Sequence, residues 1–124
     1  MNALAFEAWE AAGVKVLELA ATGERLDPRD VTDVIGEALG VGAGVAAMPL
    51  SRLPDGFLDL KTRIAGEWLQ KLVTYELRAA VMGDASAEIA RSEVLAAFVR
   101  ESNRGRHVWF VRDRAELEAK LQAG

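Results

Sequence analysis

The chain has no cysteine. Disulfides, thiolate chemistry and zinc sites of the finger type are therefore excluded. Its one histidine, His107, cannot build a multi-histidine metal site within one chain and has no nucleophile near it in sequence. We expect no metal and no cofactor. No apolar run approaches the ~18 residues needed to cross a bilayer. Met1-Asn2-Ala3-Leu4 lacks the charged start and long apolar stretch of a signal peptide. The expectation is a soluble, cytoplasmic protein. There is no excess of base either. Fifteen Lys and Arg stand against 19 Asp and Glu, a net charge of −4, which argues against a nucleic-acid binder.

What is present is an ordinary globular composition, 51% apolar and 27% charged over 124 residues. That is one domain, long enough to bury a core without covalent staples. Leu4, Phe6 and Ala8 alternate within 2–9, the period of a half-buried strand. A turn at Ala11-Ala12-Gly13 leads to a second strand over 14–19. Asp27-Pro28 opens a helix whose apolar positions Val31, Val34, Ile35, Ala38 and Leu39 form one stripe. Gly40, Gly42 and Gly44 end it. Val45-Ala46-Ala47-Met48 has no polar face, which suits a strand buried on both sides.

A loop bounded by Pro49 and Pro54 leads to a helix over 59–73, with Asp59 or Thr62 as its cap. The strand at 76–82 is wholly apolar after Arg78, hence central, and Gly83-Asp84 closes it. Ser92 caps a helix ending at Asn103 or Gly105, both suited to left-handed helix ends. Val108–Val111 is the last strand, and Asp113 caps a helix carrying Leu117 and Leu121. The order β-β-α-β-α-β-α-β-α predicts a single α/β domain: about five strands, mostly parallel with an N-terminal hairpin, and four helices.

Three segments carry more than patterning: Asp59-Leu60-Lys61-Thr62 running into Ala65-Gly66-Glu67-Trp68-Leu69-Gln70-Lys71, then Gly83-Asp84, then Glu101-Ser102-Asn103-Arg104-Gly105. In this order they resemble a bacterial family known as domain of unknown function 4180. The resemblance spans nearly the whole chain and is strongest from Phe57 onward. Members of that family usually carry a second aromatic at the position of Leu58, a small hydroxyl residue at that of Lys61 and a glycine at that of Arg63. The family brings no established activity. The element order is also similar to that of the sulphate-transporter and anti-sigma-factor-antagonist (STAS) domain, a regulatory module often switched by phosphorylation at a helix N-terminus. That is an analogy of topology only.

Each candidate site has a structural and a functional reading. Asp59 and Thr62 cap a helix, or Thr62 accepts a phosphate beside Lys61 and Arg63 at the positive helix end. Gly66 costs a helix ~1 kcal/mol, and close packing of the helix on the sheet is the expected reason. Glu67 and Lys71, four apart, are a surface pair or, with Gln70, part of a partner-binding face. Asp84 is a turn residue, or part of a site at the carboxyl ends of the strands. Asn103, Arg104 and Arg106 form a helix end, or a basic patch for phosphate or RNA at the opposite sheet edge. Gly40-Val41-Gly42-Ala43-Gly44 runs from helix to strand, the wrong order for a phosphate loop.

With no catalytic pair in view, the sequence points to a non-enzymatic regulatory or protein-interaction module with an unidentified protein partner. Its working surface is the start of the 59–73 helix, loop 51–58 and Gly83-Asp84. The alternative is a small-molecule binder or enzyme using Asp59, Thr62, Glu67 and Asp84. Exposed sheet edges leave a homodimer open.

Overall fold

A computed structural model describes residues 4–124. Its five strands, β1 (Phe6–Ala11), β2 (Val14–Leu19), β3 (Val45–Pro49), β4 (Arg78–Met82) and β5 (Val108–Val111), form one sheet in sequential order. β1 and β2 pair antiparallel, and every other pairing is parallel. Five helices accompany them: α1 (Val31–Val41), α2 (Ile64–Thr74), α3 (Ser86–Arg91), α4 (Glu93–Arg104) and α5 (Arg114–Ala123).

The β1–β2 turn follows from two residues. Ala12 and Gly13 both have positive φ, at 54° and 78°, the two-residue hairpin turn that matches strand twist. β3 is buried throughout, as its unbroken apolar run requires. At its centre Ala46 pairs with Ala79 and Ala47 with Ala80. These small side chains leave room on both faces for bulkier neighbours.

On one face α1 and α2 pack Val34, Ile35, Trp68, Leu69 and Leu72 against Leu17, Met48 and Val81, with Phe98 of α4 at the margin. The other face is covered by α5, whose Leu117 and Leu121 meet Val16, Val45, Ala80 and Trp109. Sequential right-handed crossovers explain this asymmetry, since each crossover helix lands on the same side.

Several expectations are corrected. The first strand starts at Phe6 and runs to Ala11; positions 2–3 of the expected strand lie outside the described residues. Among the described residues the four expected helices are joined by one further short helix, Ser86–Arg91. The 59–73 helix is broken. Asp59 caps a 3-10 turn over Leu60–Thr62, Arg63 sits left-handed at φ 66°, and α2 begins only at Ile64. Gly40 lies inside α1, and Gly42, left-handed at φ 74°, ends it.

Leu39 is 51% exposed, because eight residues along a helix lies about 80° from the start of the stripe. Gly66 is not pressed against the sheet; a Cβ built there meets nothing within 4 Å. The end of α4 is extended rather than left-handed at Gly105. Asn103 does a different job: its Oδ1 accepts the Phe110 N–H at 2.7 Å. That bond occupies an outward group of the edge strand β5.

Candidate functional site

Three loops meet at the carboxyl edge of the sheet, after β2, β3 and β4. Between them lies an open groove of about 710 Å³. Its wall is the β2–α1 loop stitched to the β3–α2 loop. Arg52 carries most of that stitching. It is only 8% exposed, and its guanidinium donates from Nη1 to the carbonyls of Ala20 at 2.8 Å and Thr22 at 3.0 Å, and from Nε to Glu24 at 2.9 Å. A buried cation needs such partners to offset lost hydration.

Gly23 permits the close approach. At φ 125°, a Cβ there would stand 3.1 Å from the Arg52 guanidinium carbon. Arg25 completes the seam from the other loop, donating to the carbonyls of Leu53 at 2.9 Å and Leu50 at 3.2 Å and facing Asp55 at 3.4 Å. The Ser51 hydroxyl donates to Ala21 at 2.9 Å.

The opposite side is formed by the β4–α3 turn. Gly83 has φ 147°, and its Cα lies so near Leu50 that a Cβ would come to 3.0 Å of the Leu50 Cβ. Asp84 follows, exposed, with Oδ1 accepting the Ser86 N–H at 2.9 Å. Hydrogen bonds from the Ser86 hydroxyl and backbone, aided by the charge of Arg112, hold its carboxyl below the ordinary 3.8. Asp59 also lines the groove, exposed, with Oδ1 accepting the Lys61 N–H at 3.1 Å. Leu50, Phe57, Leu58 and Met82 give the lining its apolar part, and Asp55 and Glu88 add carboxylates.

Of the candidate residues, the structure thus brings Asp59 and Asp84 to one groove. The others lie elsewhere. Thr62 is exposed, but its hydroxyl is engaged within its own loop. Its hydroxyl lies 2.9 Å from the Gly56 carbonyl and 2.8 Å from that of Asp59 as donor, and it accepts the Ile64 N–H at 3.2 Å. Arg63 and Glu67 border a separate cleft of about 460 Å³ between α2 and α4, with Leu60, Gly66 and Phe98. Glu67 and Lys71 also face a smaller cleft beside Pro28 and Arg29. No ion pair joins these two among the described residues. Gln70 reaches only Thr74, at 3.4 Å. Lys61 is exposed and outside the groove lining.

The basic stretch is divided by β5: Asn103, Arg104 and Arg106 precede it at the opposite edge, while Arg112 and Arg114 follow it at the same edge as Asp84, and it is partly engaged. Arg104 pairs with Glu101 at 3.1 Å, Arg112 with Glu116 at 3.9 Å, and Arg114 with Glu7 and Glu18 at 2.8 and 2.9 Å. Arg106 is exposed, and the Asn103 side chain holds the Phe110 N–H.

Sequence reasoning missed Arg25, Arg52, Glu88 and Arg91. For Arg52 no signal was available, because its partners are backbone carbonyls, which any sequence supplies. Among the described residues no three His, Asp or Glu converge on a point where a metal would sit, and no helix is long and apolar enough to cross a membrane.

No protein of curated function and no solved structure matches the chain. The likeness to the STAS domain therefore rests on element order alone. The family described as a domain of unknown function (DUF4180) matches residues 11–121, which take in β2 to β5 and the helices up to Leu121 in α5. The chain belongs to that family.

Proposed function

We propose that this protein is a non-enzymatic binding module, of regulatory or protein-interaction type, that receives its partner in the groove at the carboxyl edge of β3 and β4. The observation that carries the reading is the state of the groove carboxylates. Asp55, Asp59 and Asp84 are exposed and Glu88 half-buried, and Asp84 is held in its charged form. Acid–base catalysis is usually sited where water is excluded, whereas carboxylates exposed in this way suit recognition in water. The groove is open, while small-molecule sites usually engulf most of their ligand.

The alternative constellation of Asp59, Thr62, Glu67 and Asp84 finds no support, since Thr62 and Glu67 lie outside the groove. The same proposal sets the module in the cytoplasm, in keeping with a composition free of cysteine.

The test is capture of partners from the source lysate by the wild type and by Leu58→Arg, which thrusts a long cation into the groove. Partners held by the wild type and lost by the variant are expected. Equal capture by both, or no specific capture, overturns the proposal.

A further inference from the structure

Resting on that reading, we propose that the groove takes a basic peptide segment of a partner protein, with an Arg or Lys side chain lying across the apolar floor to reach Asp59, Asp84 and Glu88. The groove lining holds the carboxylates of Asp55, Asp59, Asp84 and Glu88 against the guanidiniums of Arg25 and Arg91. Arg25 is already committed to Asp55 and to two carbonyls. The remaining lining is Asp59, Asp84 and Glu88 against Arg91, a net charge of −2 (three negative, one positive). Two further cations stand near it. Arg112 acts on Asp84 from the side of β5, with the Glu116 carboxylate 3.9 Å from its guanidinium to offset its charge. Arg52 does not line the groove and points its guanidinium into the 20–24 carbonyls.

The carboxylates have capacity to spare. Asp59 uses one oxygen, Oδ1, on the Lys61 N–H of its own turn, and Asp84 is held by Ser86, through Oδ1 on the backbone N–H and through the Ser86 hydroxyl. Both residues are otherwise exposed to water. A cation arriving there meets carboxylates fixed in place by those turns, so little further ordering is required.

The floor between them decides what kind of cation fits. Leu50 and Leu58 are half-buried and present hydrocarbon to the groove. A bare metal ion or ammonium gains nothing from that surface. The methylene stem of Lys or Arg does, with its charged head left in water at the rim. An open groove suits a segment that enters and leaves along its length better than a molecule enclosed on all sides. An acidic segment would meet the same carboxylates as a repulsive wall.

The experiment uses the full chain, labelled with nitrogen-15, titrated with three nine-residue peptides of one sequence whose alternate positions are Arg, Gln or Glu, the rest Leu, Ser and Gly. Amide shifts at 50–59 and 83–88 with the Arg peptide alone are expected. The triple variant Asp59→Asn, Asp84→Asn, Glu88→Gln should then bind that peptide on the order of tenfold more weakly. Asn accepts the same turn hydrogen bonds as Asp, so the variant keeps the loops, and its amide spectrum away from the groove checks this. Binding should also weaken as salt is raised.

Groove shifts of equal size with all three peptides, or an Arg-peptide affinity unchanged in the triple variant, overturn the inference and leave the groove reading standing. Shifts confined to other surfaces, or none with any peptide, overturn both.

Discussion

Gly66→Ala tests the clearest conflict between local sequence and fold. Gly66 lies inside α2, where glycine costs about 1 kcal/mol relative to alanine because of the backbone freedom it must give up. Its φ is not positive, and an added Cβ meets nothing within 4 Å. The substitution therefore removes the entropic cost without clash. Stability should rise by about 1 kcal/mol, and the melting temperature by roughly 3–6 °C for a domain of this size. Urea denaturation should show a midpoint higher by about 0.3–1 M with an unchanged slope. Gly36→Ala, in α1 and equally open, is the internal control and should behave the same way. A melting temperature that stays put or falls for Gly66→Ala while rising for Gly36→Ala refutes the reasoning, because it means that Gly66 answers a constraint within the fold. If the expected gain is seen, the glycine has no packing reason inside this molecule, and its place beside Leu60, Arg63 and Phe98 makes that cleft the next surface to probe.

Arg63→Gly should stabilise by about 1 kcal/mol, read by chemical denaturation, because φ is 66° there and a left-handed L-residue costs that much. Ala12→Asn, at the first central position of the β1–β2 turn, should give a similar or smaller gain by the same assay. Arg52→Ala should destabilise by about 2–4 kcal/mol and broaden the amide signals of 20–26, since three loop carbonyls lose their donor. Asp84 should titrate below 3.8 in a carbon-13 carboxyl titration. Its folded value is depressed, so its contribution to stability is present above the unfolded value and lost as pH falls through the folded one. Asp84→Asn should remove that part of the acid limb of the stability profile.

The elements legible in the sequence are those whose cause is local. Asp27-Pro28 reads as a helix start because the capping box lies within four residues, with Asp27 accepting from Arg29 N–H and Asp30 from Asp27 N–H. Val45–Met48 reads as a buried strand because no polar residue interrupts it. The missing helix Ser86–Arg91 buries no residue completely and so leaves no periodic stripe to find. The break at Arg63 is invisible to periodicity, since the apolar positions of α2 continue in phase from Ile64. That Asp59 and Asp84 share one edge was legible because strand order and loop position place both at the carboxyl ends of the strands, and both line the groove there. Thr62 and Glu67 stand apart from that groove for a tertiary reason: the left-handed turn at Arg63 separates the loop from α2, so Thr62 bonds within its own turn and Glu67 faces another cleft.

The topology also bears on why the groove is open. In doubly wound sheets the crossovers reverse direction at one point, and the loops on either side diverge there to leave a crevice. Here the strands run in sequential order, no reversal occurs, and α1 and α2 pack on the same face of the sheet. No crevice is forced between neighbouring strands. The cavity arises instead from the loops themselves: Arg25 and Arg52 draw the β2 and β3 loops together into one wall, while Gly83 lets the β4 turn pass close under Leu50. A space made this way is open and rimmed by exposed side chains, Asp55, Asp59 and Asp84 among them. That is the physical ground for reading this edge as a surface that recognises another molecule rather than one that transforms it.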